Sequence, residues 1–150
     1  MERAARRMRS WPSRNRRAAL IAIAAWLGQV ACAGPSAPSG ALANGVWGGD
    51  HVTMTVASGG AQFDFDCAHG SVDTTIVVDG RGQFASTGVF VREHGGPIRE
   101  GETPDAHPAT YTGTAETNTL TLTVRLIDTK ETIGTFTLAA GSRGRVVKCL

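Results

Sequence analysis

The chain reads as all-β, an antiparallel meander of seven or eight strands closed into a small barrel, with a two-sheet sandwich as the alternative. Three observations predict this class. Apolar residues recur at every second position in run after run, the period of a strand with one face in the core. Turn-forming residues separate these runs at hairpin spacing. No stretch offers helical spacing over three turns. A length of 150 residues, 41% hydrophobic and 19% charged, gives one globular domain and excludes both a multi-domain and a disordered chain.

The first element is a leader. Arg3, Arg6, Arg7, Arg9, Arg14, Arg16 and Arg17 face a single acid, Glu2, and an apolar run follows from Ala18 to Leu27. That run is about half the ~20 residues a bilayer-spanning helix needs, so residues 1–33 read as a secretory signal peptide and no transmembrane span is expected in the mature chain. Ala31-Cys32-Ala33 supplies a small-x-small cleavage signal and a mature start at Gly34. A competing reading makes Cys32 the acylated first residue of a lipoprotein, although Gln29 stands where such a site wants an aliphatic residue. Arg16-Arg17 resembles a twin-arginine export signal but lacks the hydroxyl residue before the pair and the Phe after it. The expected location is therefore periplasmic or extracellular, or lipid-anchored at Cys32 on the competing reading.

Export removes seven of the 15 basic residues and one of the 13 acids, leaving 8 against 12, a net charge of −4 with histidines neutral. The basic footprint of a nucleic-acid binder is missing from the part that folds. Residues 34–45, small, uncharged and Pro-bearing, read as a flexible tether ahead of a barrel domain at 46–150. Strands are expected at 46–57, 61–67, 70–78, 83–93, 109–116, 119–128, 131–139 and 143–149. Leu120, Leu122, Val124 and Leu126 alternating with Thr121, Thr123 and Arg125 make the clearest of them. Ser58-Gly59-Gly60, Asp79-Gly80-Arg81-Gly82, Glu116-Thr117-Asn118 and Gly141-Ser142-Arg143-Gly144 are the turns. Phe63, Phe65, Phe90 and Phe136 are available to fill a barrel interior.

With Cys32 removed, Cys67 and Cys149 are the two cysteines left in an oxidising compartment, and they are expected to pair. In a barrel this bond would staple the last strand to the start of the meander, at the seam.

Gly45-Val46-Trp47 at the start of the first strand resembles the opening of the lipocalin and avidin-like barrels, the calycin group, and implies a Trp plugging one barrel end. Trp47-Gly48-Gly49-Asp50-His51, Asp66-Cys67-Ala68-His69-Gly70, Gly95-Gly96-Pro97, Pro108-Ala109-Thr110-Tyr111 and Lys148-Cys149-Leu150 together resemble a family of small exported bacterial proteins. That resemblance spans nearly all of the mature chain; it implies the domain and its disulfide, and no reaction.

Two candidate sites follow. His51, Asp64, Asp66 and His69 bring two carboxylates and two imidazoles into a short span, a donor set that zinc or another borderline metal accepts, with Asp64 and Asp66 on one strand face. The plainer account makes the aspartates a solvated face and His69 a turn residue. The segment from Glu93 to Pro108 is longer than a hairpin needs and carries Arg92, His94, Arg99 and His107 at or near it, a set that could meet an anionic ligand at a barrel mouth. The plainer account is a solvated loop with loosely paired charges. No G-x-S-x-G elbow or phosphate-cradling loop occurs, so a non-catalytic role is favoured over an enzymatic one and no cofactor beyond a divalent metal comes into question. The expected function is an exported barrel binding a small molecule or an envelope protein. The alternatives are a metal-dependent enzyme and a protease-inhibitor-like protein.

Overall fold

The computed structural model describes residues 39–97 and 99–149. The segment read as a leader, with Arg16-Arg17 and Cys32, lies outside them. Ten strands form: β1 (Gly40–Ala41), β2 (Gly45–Gly49), β3 (Val52–Ala57), β4 (Gly60–Phe65), β5 (Ala68–Val72), β6 (Val77–Val78), β7 (Gln83–Arg92), β8 (Asp105–Ala115), β9 (Thr119–Leu126) and β10 (Thr132–Ala140). Eight of them close into an antiparallel barrel in the order β10-β2-β3-β4-β5-β7-β8-β9, and β1 pairs with β6 in a small separate sheet. The fold is the barrel, not the sandwich.

The barrel is nearly a pure meander because each turn is too short for anything but an antiparallel return. Alternation decides which face is inside. Val52, Met54 and Val56 on β3, Phe63 and Phe65 on β4, and Leu120, Leu122, Val124 and Leu126 on β9 are all buried, while the threonines between them face outward. Aromatic rings fill the interior. Phe63 stacks on Tyr111 at 4.4 Å between centroids, and Phe65 lies 5.5 Å from Phe90 and 5.4 Å from Phe136. The Tyr111 hydroxyl donates to the Val89 carbonyl at 2.7 Å, which satisfies the one polar atom this ring brings into the core. Burial pushes the Tyr111 phenol well above its usual value, so it stays a neutral donor.

The strands differ from the sequence expectation in four places. The expected strand 46–57 is two strands, β2 and β3, joined by a turn at Asp50-His51 with His51 at φ 69°. Neither Gly nor Asn marks that turn, but His tolerates the left-handed region better than most residues. The expected strand 70–78 ends at Val72, and Val77–Val78 peel away to pair with Gly40–Ala41. The start expected at residue 109 moves to Asp105, which puts His107 and Pro108 inside β8. Pro108 is tolerated because it stands opposite Val89 and needs only to accept, its carbonyl taking the Ile127 amide at 2.7 Å.

The fourth difference concerns the expected last strand, 143–149. It is a terminal arm on the outside of the barrel, bridged in parallel at Asp50 and Arg145. The Arg145 amide donates to Gly49 and its carbonyl accepts from His51, both at 2.9 Å, while the Val147 carbonyl accepts from the Cys67 amide at 3.3 Å. A Cβ on Gly48 would collide with the backbone of Gly144, and one on Gly144 would collide with the Val52 carbonyl, so glycine at both positions lets the arm lie backbone to backbone on the wall. Cys67 and Cys149 form the disulfide, with 4.9 Å between Cα atoms. The bond does not staple the seam, because β10 closes the barrel directly on β2 through Ala139↔Gly48 and Ala140↔Trp47.

The stretch read as a flexible tether is docked from Gly40 onward. Leu42 is buried, donates its amide to the Ile76 carbonyl at 2.9 Å, and joins Ile76 and Val78 in the core. Trp47 is buried as well, its indole nitrogen 3.4 Å from the Ala43 carbonyl.

Candidate functional site

Antiparallel return places alternate turns at opposite ends of the barrel. The β2–β3 turn, the β4–β5 turn at residues 66–67, the loop 93–104 and the β9–β10 turn at 127–131 therefore share one end, and the terminal arm crosses there too. All four histidines sit at this end, and each one hydrogen-bonds a carboxylate. His51 Nδ1 meets Asp66 Oδ2 at 2.5 Å, and His69 Nδ1 meets Glu93 Oε1 at 2.8 Å. His94 Nε2 pairs with Glu102, while its Nδ1 faces the Gly95 carbonyl at 2.9 Å. His107 lies between two carboxylates, with Nδ1 at 2.7 Å from Asp128 and Nε2 at 2.9 Å from Asp105.

The cationic side chains complete the lacing. Arg92 reaches Glu131 at 2.6 Å and Asp105 at 3.9 Å, Arg145 reaches Asp50 at 2.8 Å, and Lys148 lies 3.4 Å from Asp64 and 3.3 Å from Glu93. Most of these pairs are exposed and individually weak. Their collective effect is to tie neighbouring turns together.

The electrostatics follow from the bonds. The Val147 amide, and then His51, hold Asp66 below the usual carboxylate range. His107 holds Asp128 down, and Asp128 in turn raises the His107 imidazole, with burial opposing and Asp105 adding. The Gly95 carbonyl and Glu102 raise His94. The Arg99 amide and His94 lower Glu102. Burial acts to raise Glu93, but His69 and Lys148 outweigh it and the group ends below its ordinary value.

The residues proposed as metal ligands are not gathered. Asp66 lies in the β4–β5 turn instead of sharing a strand face with Asp64, and it faces His51 and the arm. Asp64 stands opposite His69 in the β4–β5 ladder, but it pairs with Lys148 while His69 turns to Glu93. Among the described residues no group of three or more His, Cys, Asp or Glu side chains is placed to hold a metal ion. His51 and Asp66 do meet, but as a pair with each other, while Lys148 takes Asp64 and Glu93 takes His69.

The second set, Arg92, His94, Arg99 and His107, does reach a common end, but not as a free cationic pocket. Arg92, His94 and His107 each bond a carboxylate, and the Arg99 amide donates to Glu102 at 3.0 Å. An open concavity of about 620 Å³ is lined by His94, Gly95, Pro97, Arg99, Glu100, Gly101 and Glu102, so both charge signs face it. Sequence reasoning missed the partners Glu93, Glu102, Asp105, Asp128 and Glu131. Only the His94–Glu102 and Asp105–His107 spacings are local, and the other pairs join turns far apart in the chain.

The molecule is thus a closed β-barrel with a side-chain-filled interior and one end dressed in histidine–carboxylate pairs. No family model, curated protein or solved structure matches the chain.

Proposed function

We propose that this chain is an exported, non-catalytic barrel domain that binds a protein partner through the end carrying the 93–104 loop and the four histidines. The observation that carries the reading is the packed interior. Phe63, Phe65, Phe90 and Tyr111 occupy the space in which an open barrel would hold a small ligand, which moves recognition to the surface. Loops held on a rigid scaffold are where such recognition usually resides. The histidines are bonded to carboxylates and one carbonyl, pairings that tie the turns of this end to one another. Export is supported by the leader's composition and by the disulfide, which persists in an oxidising compartment.

The test uses the full chain immobilised beside a variant in which Arg99, Glu100 and Glu102 are replaced by serine. A partner retained from the secreted and envelope fractions by the first and not by the second supports the proposal. Equal retention by both, or none by either, refutes it. Secreted proteases belong in the panel, since a retained and inhibited protease would specify the partner as a protease.

A further inference from the structure

Positive charge is gathered on the terminal arm. Residues 141–149 carry Arg143, Arg145 and Lys148 and no acid, so three of the eight basic residues of 34–150 and none of the 12 acidic ones lie there. The remainder holds five basic against 12 acidic side chains, a net of −7 facing the arm's +3. The two charges meet where the arm crosses the barrel end. Arg145 reaches Asp50 at 2.8 Å, Lys148 lies 3.4 Å from Asp64 and 3.3 Å from Glu93, and the Val147 amide donates to Asp66 at 2.7 Å. Yet no arm side chain joins the core, and apart from the half-buried Gly144 and Val146 every arm residue is exposed. The barrel closes without it. The arm therefore lies on the wall as a bound peptide does, through alternate backbone groups and charges, with one covalent bond near its end.

The contacts define what the seat reads. Backbone pairing falls on alternate residues: Arg145 exchanges bonds with Gly49 and His51, and Val147 with the Asp66 carboxylate and the Cys67 amide. At 144 only glycine fits, since a Cβ there would lie 1.8 Å from the Val52 carbonyl. The next position faces Asp50 and takes a cation. Val146 borders an open concavity of about 430 Å³ shared with Thr53 and Thr55, which suits an aliphatic side chain of this size or larger. Val147 is 64% exposed and its side chain goes unread. Asp64, Glu93 and the Ala68 carbonyl, the last at 3.1 Å, hold the second cation at 148. We propose that this seat is a binding site for an extended basic segment of a partner protein, patterned glycine, cation, aliphatic, any residue, cation. The arm fills it in cis, locked there by the Cys67–Cys149 bond.

Unlocking is thiol–disulfide exchange with a dithiol reductant. Cys149 is exposed and Cys67 half-buried, so the attacking thiolate bonds to Cys149 Sγ, the Cys67–Cys149 bond breaks, and Cys67 leaves with the electron pair and takes up a proton. The reductant's second thiolate then displaces Cys149, which is protonated in turn. The protein has gained two electrons and two protons, and the reductant departs as its own disulfide. What still holds the arm is a set of hydrogen bonds and ion pairs at exposed positions, each weak against water. The arm then opens and closes without the barrel, and a partner segment competes for the vacated seat. The seat lies at the end already assigned to partner binding, so the inference deepens that reading by naming the partner's chemistry.

The probe is a fluorophore-labelled peptide with the arm's own sequence, Gly-Ser-Arg-Gly-Arg-Val-Val-Lys, titrated against the full chain and followed by anisotropy. The oxidised protein should not bind it. The Cys67→Ser, Cys149→Ser double variant should, and so should the native chain reduced by a dithiol, which covers the case of a variant that does not fold. Adding Gly144→Ala weakens the cis arm without touching the seat, and should tighten the peptide by about tenfold, because the seat is then vacant for a larger share of the time. In that background a peptide with alanine for its second glycine, or with glutamate for its last arginine and its lysine, should bind about tenfold more weakly or not at all. Bound peptide should also raise the exchange of the Arg145 amide in the double variant, since the arm has been expelled. Equal binding to oxidised and reduced protein, binding to neither, or binding that leaves Arg145 protected overturns the seat. The seat uses none of Arg99, Glu100 and Glu102, so the serine variant at those positions should take the peptide unchanged. Peptide binding in a protein that captures no partner preserves the seat and removes the capture function; capture without peptide binding does the reverse.

Discussion

Removing the Cys67–Cys149 bond tests how the barrel and its arm divide the work of stability. The bond closes a chain segment with a sequence separation of 82, which contains six of the ten strands. In the chain-entropy account a loop of that size restricts the unfolded ensemble by about 4.5 kcal/mol at 25 °C, and measured values commonly fall below such figures. The native side of the balance loses much less. The seam between β10 and β2 does not involve the bond, and the arm keeps its backbone hydrogen bonds at Gly49 and His51. A Cys67→Ser, Cys149→Ser double variant should therefore retain the barrel's near-ultraviolet signature and cooperative unfolding. Its unfolding free energy in a urea titration should drop by about 2–4.5 kcal/mol, a large share of the 5–15 kcal/mol expected of a domain this size. The exchange of the Arg145 amide should rise more than that of any barrel amide. A drop below about 1 kcal/mol would refute the loop-entropy reasoning, whereas loss of the barrel itself would show that the arm and its bond hold the seam after all.

Two further substitutions probe the packing. Phe65→Ala empties the centre of the aromatic cluster, where the ring meets Phe63, Phe90 and Phe136, and should cost about 3–5 kcal/mol by calorimetry, with little effect on the arm. Gly144→Ala places a methyl group against the Val52 carbonyl and should lift the arm, costing about 1–3 kcal/mol and exposing the Arg145 amide to exchange while the core stays closed.

The barrel was legible because its strands obey a two-residue period, and a parity change in that pattern marked a turn that was read through. Trp47 is buried at an odd position and Val52, Met54 and Val56 at even ones, so the run changes register between residues 47 and 52, where the Asp50-His51 turn lies. Val77 and Val78 look like barrel residues by composition, but Asp73, Thr74 and Thr75 interrupt the ladder before them. The arm, though it carries Val146 and Val147, lies outside the barrel because β10 has already met β2 and a closed barrel has no edge left to extend. The site was less legible. Its histidines and arginines could be picked out by type, yet their partners are brought to them only by strand pairing, as His107 and Asp128 show across β8 and β9.

The small sheet of β1 and β6 gives the barrel a direction. Residue 39 and the strand that follows enter beside Leu42 and Ile76, at the end opposite the histidines. The longest strand, β8, has 11 residues, and at the rise and tilt of a small barrel it sets the two ends roughly 25–30 Å apart. Gly40 and the docked strand that follows therefore lie across a stiff spacer from the loop. Attached to a surface through residue 40, the barrel would stand like a post with its charged crown on the side away from the attachment.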